Sequence, residues 1–261
     1  MDRRNFLKGT AAAGLVGASS GLAGPALSQG AAARTLRFVP QANLANFDPI
    51  WGTQYVVRNG AAMVWDTLYG FDAQLKPQRQ MAESEQVSAD GLTWDFRLRP
   101  GLKFHDGSPV LAKDVVASLT RWSARDPMGQ MLKAIQQELV AVDDRNFRWV
   151  LKKPYPKLLM ALGKNSTPMA FIMPERLAKT DPFQQIREPI GSGPFRFVMD
   201  EFRQGSRAVW ARNEAYVPTS GGGAGMTAGP KVVHFDRIEW NIIPDAAMAA
   251  AALTNNEIDW F

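Results

Sequence analysis

Trp94, Phe96 and Leu98 alternate with Asp95, Arg97 and Arg99, the two-residue period of a half-buried strand. The Asp90-Gly91 pair just before it predicts a hairpin with a short strand around Gln86–Ser88. Pro100-Gly101 and Asp106-Gly107 are turn pairs, and between them Leu102 and Phe104 flank Lys103 as a short extended piece. Val115, Leu119 and Trp122 then fall at helical spacing, with Asp114 in the first turn, where a carboxylate complements the helix dipole; this predicts a helix over 114–124. A second hairpin follows, with Leu139–Val142 and Phe147–Leu151 flanking Asp143-Asp144-Arg145-Asn146. Thr35–Val39 reads as the first strand and Tyr55–Leu68 as a helix, while Pro156–Leu162 and Pro174–Lys179 read as short helices with Pro near the start. From Gly193 the pattern is extended again, through Phe195 and Phe197, Ala208–Trp210, and Ile238, Trp240 and Ile242. Pro218–Pro230 is a Gly-rich tract that predicts a flexible surface loop, because Gly loses most entropy on ordering.

The N-terminus changes the picture first. Arg3-Arg4-Asn5-Phe6-Leu7-Lys8 is a twin-arginine pattern, followed by a weakly apolar run to Leu27. Ala26-Leu27-Ser28, or Ala31-Ala32-Ala33, offers small residues for cleavage, so residues 1–33 are expected to be an export signal peptide that delivers a folded protein to the periplasm. Gly, Ser and Pro25 make the run too polar for a membrane anchor. With 261 residues, 46% of them apolar, the chain can bury a core. Its net charge of +5 falls to +3 when the three basic residues and one acid of residues 1–28 are removed, and no dense Lys/Arg block follows. Nucleic acid is therefore not an expected partner. Cys is absent, which excludes disulfides and thiolate metal sites.

Catalytic and metal chemistry find little to work with. The two histidines, His105 and His234, sit beside a turn and a strand start, without the converging ligands or positioned partner that metal binding or acid–base catalysis needs. No metal, no cofactor and no catalytic residue is expected. Gly17-Ala18-Ser19-Ser20-Gly21 matches a nucleophile elbow by coincidence inside the leader. Asn165-Ser166-Thr167 matches a glycosylation acceptor, without meaning behind a bacterial-type leader. Gly191-Ser192-Gly193 lacks the third glycine of a dinucleotide fingerprint and reads as a tight turn. Tryptophan is frequent, at eight residues; Trp94, Trp122 and Trp149 fall on periodic faces and are expected in the core. Core filling is also the reading for Met128 and Met131.

The stretch Gly91–Trp122, in its order and wording, resembles the extracytoplasmic solute-binding proteins that feed peptides, nickel and similar solutes to ABC importers. Asn46-Phe47-Asp48-Pro49, Pro189-Ile190-Gly191-Ser192-Gly193-Pro194-Phe195, Asp236–Asp245, Ala252-Leu253 and Glu257-Ile258-Asp259 match further family landmarks in order, so the likeness covers Arg34–Phe261. It implies a mixed α/β (α+β) architecture of the type II periplasmic-binding-protein kind. Residues 34–51 and 186–261 would form a discontinuous first lobe and residues 52–185 an inserted α+β subdomain. The second large lobe would be missing, which predicts a truncated product that alone binds weakly or not at all. The implied function is capture of oligopeptides or a similar small polar solute by a monomer and delivery to an ABC permease, with the twin-arginine machinery as export partner. Ala42, Asn43, Leu44 and Trp51 after the first strand, and Trp260 and Phe261 after the last, are the candidate ligand-binding residues, because loops at these places line the cleft in the resembling proteins. A secreted hydrolase, or a periplasmic chaperone or haem carrier on the same scaffold, is the alternative.

Overall fold

The computed structural model describes residues 34–221 and 225–261; the expected signal peptide, residues 1–33, lies outside them. Two distant stretches of chain build the first sheet. β1 (Thr35–Phe38) pairs in parallel with β10 (Arg237–Asn241), setting Phe38 opposite Trp240. Antiparallel β9 (Arg207–Arg212) and β8 (Phe195–Phe197) complete the order β1-β10-β9-β8. The alternation of Ile238 and Trp240, Ala208 and Trp210, and Phe195 and Phe197 puts one apolar face inward. Trp210 and Trp240 meet there with ring centroids 4.5 Å apart, and Phe197 stands edge-on to Trp210 at 5.2 Å.

Helix α1 (Tyr55–Val64) covers this face. Its Gly60 has no side chain between it and the Trp210 ring, which a Cβ would meet at 3.1 Å. Although residue 55 falls inside the stretch 52–185, α1 thus packs on the sheet made by the flanking stretches. The expected helix to Leu68 ends at Val64 because the crossing segment is pressed onto it. The Gly193 N–H donates to the Val64 carbonyl at 2.8 Å, and Trp65 Nε1 to the Ile190 carbonyl at 2.9 Å. A Cβ at Gly191 would lie 2.0 Å from the Val64 oxygen, so close approach, not turn geometry, demands that glycine.

The intervening chain forms a two-stranded ribbon, β2 (Tyr69–Phe71) with β3 (Pro77–Arg79), and a second sheet in the order β4-β5-β7-β6. Its strands are β4 (Ala82–Val87), β5 (Thr93–Leu98), β6 (Gln136–Ala141) and β7 (Asn146–Leu151), all antiparallel. Both hairpins fall where the turn residues place them, and Phe96 stacks on Phe147 across the register at 4.8 Å. Helix α2 (Ala112–Ser123) packs on β6 and β7 and buries Val115, Leu119 and Trp122. Helix α3 (Pro127–Ile135) is absent from the sequence-based expectation, yet its start signal is present: Asp126 Oδ1 accepts from the Gly129 N–H and Pro127 opens the first turn. Met131, expected in the core, is 58% exposed on this helix, because Gly129 and Leu132 form its buried face. Met128 packs against the core.

Two short helices, α4 (Leu158–Gly163) and α5 (Glu175–Ala178), and the C-terminal α6 (Ala246–Thr254), capped by the Asp245 side chain, complete the α-helices of the described residues. Trp94, Trp122 and Trp149 are buried as expected. The Gly-rich tract is less free than its composition implies. Thr227 Oγ1 accepts from the Phe71 N–H, and the Thr227 and Ala228 N–H groups donate to the Phe71 carbonyl, which ties part of it to β2. Residues 34–261 form one compact unit, and one large core runs beneath both sheets.

Candidate functional site

The C-terminal end of β1 gathers exposed aromatic surface. The last residues of the chain meet β1 through a single parallel bridge, Phe38 with Trp260. The Val39 N–H donates to the Trp260 carbonyl at 2.9 Å, and the Asp259 N–H to the Arg37 carbonyl at 2.8 Å. A two-point ion pair fixes the register: Asp259 accepts from Arg37 Nε and Nη2 at 3.2 and 2.9 Å. The hydrogen bonds from Arg37 hold the Asp259 carboxyl below its usual range. Beneath, Ile258 joins Val39, Ala249 and Ala252 in a small satellite core. The Trp260 ring is left tilted against Phe38 at 5.1 Å, 63% exposed, with Phe261 also exposed beside it in sequence.

The loop after β1 divides the other candidates. Ala42 and Asn43 are exposed, but the Asn43 Oδ1 already accepts from the Gly205 N–H, bracing the turn between β8 and β9. Leu44 is a correction: it is 2% exposed and packs in the interior with Phe47, Val57 and Trp210, so its side chain supports the loop from below and does not reach the surface. Trp51 is half-exposed, and its contacts belong to a different cluster. Its N–H donates to Asp48 Oδ1 at 3.3 Å and its carbonyl accepts from Arg125 Nη2 at 3.2 Å.

Asp48 anchors that cluster. Its carboxylate also accepts from the Ile50 and Ile186 N–H groups and, at both oxygens, from the fully buried Arg121. Burial pushes the Asp48 carboxyl up, but the hydrogen bonds and charge of Arg121, together with the two backbone donors, outweigh it and hold it below the usual carboxylate range. The pair staples the loop after β1 to α2 and to the chain entering the Gly191 crossing. Sequence reasoning named Asp48 only as part of a loop, and it missed Phe38 as the ring against which Trp260 rests. For Phe38 the available signal was its place at the end of the first strand.

The histidines take structural and surface positions. The His105 Nδ1 accepts from the Gly191 N–H at 3.3 Å, and its Nε2 lies 3.1 Å from the Gly193 carbonyl, to which it donates. Both ring nitrogens are thus spent on holding the crossing segment, and neither is offered to a substrate. Burial pushes the His105 imidazolium down to about 4, against the opposing bond to Gly193. His234 is exposed. Among the described residues no three His, Asp or Glu side chains converge to hold a metal ion. The arrangement at the end of β1 therefore offers shape, aromatic contact and hydrogen bonding.

Three comparisons bear on what such a surface serves. The profile of the bacterial extracellular solute-binding proteins, family 5, matches residues 76–261. The chain belongs to this family. Residues 1–20 match the twin-arginine translocation signal, so this family 5 protein is exported to the periplasm. It is 38% identical over 266 residues to the probable peptide ABC transporter periplasmic-binding protein y4tO of Sinorhizobium fredii, covering 100% of this chain and 48% of that one. It is 30% identical over 216 residues to the glutathione-binding protein GsiB of Pectobacterium atrosepticum, covering 81% and 38%. Among solved structures it is similar to MoaA of A. tumefaciens R10 in complex with mannopinic acid, with a TM-score of 0.70 and 27% identity over 87% of this chain and 44% of that one. The chain thus spans about half the length of the curated relatives it matches. The type II periplasmic-binding-protein architecture with mixed α/β content holds. The relatives are transport proteins.

Proposed function

We propose that this protein is the substrate-binding component of an ABC importer, which takes up oligopeptides or a similar small polar solute in the periplasm and passes it to a permease in the cytoplasmic membrane. The observation that carries this reading is the family membership, joined to 38% identity along the whole chain with a probable peptide ABC transporter periplasmic-binding protein. Under it, residues 34–51 and 186–261 belong to a first lobe and residues 52–185 to an inserted subdomain, with α1 packed onto the first lobe's sheet. Ala42, Asn43, Trp51, Trp260 and Phe261 face the solute, and Leu44 supports the loop after β1 from the core. The Trp260 ring, rigid and already placed against Phe38, supplies contact area at little entropic cost. A peptide main chain is held by direct and water-mediated hydrogen bonds. Bound solute favours a closed arrangement that the permease recognises. The protein works as a monomer and makes or breaks no bond.

Isothermal titration of the protein purified from the periplasm, against a panel of short peptides and the corresponding free amino acids, tests the reading. Weak but saturable binding to peptides is expected, weakened about tenfold or more in Trp260→Ala, the scale of loss when an aromatic anchor that the partner covers is truncated. Mass spectrometry should recover the peptides uncleaved. Absence of binding across the panel, or cleaved peptides, contradicts the proposal.

A further inference from the structure

A pocket of about 520 Å3 opens between α2, α3, β6 and α5, lined by none of the cleft candidates. Its size lies within the range of small-molecule sites, about 300–1,000 Å3. Its walls are Val116, Ala117, Ala124, Ala141, Ala178 and Pro182, small apolar groups whose size leaves the hollow. Most polar groups at the wall are bonded within the protein. Thr120 Oγ1 donates to the Val116 carbonyl, and the Thr180 carbonyl accepts from Arg121 Nε. Arg121 also borders the pocket, but its guanidinium is committed to Asp48 and to the Thr180 and Gln184 carbonyls. The interior therefore suits a hydrocarbon better than a strongly polar ligand.

The rim has the opposite character. Lys113, Lys133 and Lys179 surround a single acid, Glu175. That acid is neutralised from both sides, by Lys179 at 2.8 Å and Lys113 at 3.7 Å, while Lys133 makes no ion pair among the described residues. A cationic ligand would meet three ammonium groups, and a neutral one would leave the rim unused. We propose that this pocket binds small amphipathic carboxylates, with the hydrocarbon tail lying against Ala117 and Ala141 and the carboxylate at Lys133. The site is separate from the β1 end and does not depend on the importer reading.

Calorimetric titration of the full chain at low ionic strength with decanoate, hexanoate and decyltrimethylammonium is the test. Decanoate is expected to bind, and hexanoate, four methylenes shorter, at least about 100-fold more weakly, since each buried CH2 is worth roughly fourfold. The cation should not bind. Ala117→Leu, which fills the hollow with a good helix former, and Lys133→Glu, an exposed change that leaves the core untouched, should each weaken decanoate about tenfold, whereas Trp260→Ala should not change it. Far-UV circular dichroism checks that both pocket variants stay folded. No heat with decanoate, equal binding of the cation, or unchanged affinity in both pocket variants overturns the proposal.

Discussion

Asp48 and His105 look alike in the sequence, each a polar residue beside a turn, and both do positioning work. Asp48 spends its carboxylate on Arg121 and on backbone donors of two separate segments. His105 spends both ring nitrogens on the Gly191–Gly193 crossing. Such a histidine must stay neutral, because a protonated Nδ1 could not accept from Gly191. Its folded value of about 4 lies below the ordinary 6.5. The unfolded chain therefore binds this proton first as pH falls, and stability is full above about 6.5 and declines toward 4. Urea unfolding at pH 7.5 and pH 4.5 should reveal a loss of up to roughly 3 kcal/mol from this group, and His105→Gln should flatten that part of the profile. A profile unchanged in the variant would assign the acid sensitivity elsewhere.

At the scale of elements, local pattern and tertiary contact divide the work. The two hairpins and α2 were legible because alternation, Asp-Gly turns and 3.6-residue spacing are local signals. The end of α1 was not, because Val64 is stopped by a segment more than a hundred residues away. The close approach there has a measurable consequence. With a Cβ 2.0 Å from the Val64 oxygen, Gly191→Ala must push the crossing off α1, and a destabilisation of about 1–3 kcal/mol or more is expected in thermal or urea unfolding. Gly193 faces the same carbonyl at 2.8 Å and should behave alike. A neutral substitution at Gly191 would mean the crossing is free to shift. The C-terminal segment likewise owes its one bridge on β1 to a partner more than two hundred residues away. Composition predicts a flexible loop for the Gly-rich tract, and β2 ties part of it down through Thr227.

For the whole molecule, export and family came from different ends of the chain. The twin-arginine pair belongs to a signal matched over residues 1–20. Replacing Arg3 and Arg4 together by Lys should leave the protein in the cytoplasm, with the periplasmic fraction reduced to near nil on cell fractionation; normal export of that variant would point to another route. The sequence by itself determined the leader, the order of most strands and helices and the family likeness, since these rest on charge, periodicity and turn chemistry along a continuous stretch. Only the tertiary structure decided that Leu44 turns inward, that Trp260 leans on Phe38, that Asp48 meets Arg121, and that small residues from α2, β6 and α5 leave a lysine-rimmed hollow. Those outcomes depend on which side of an element faces which distant neighbour. Burial and pairing across such separations are properties of the packed chain, with no local pattern to announce them.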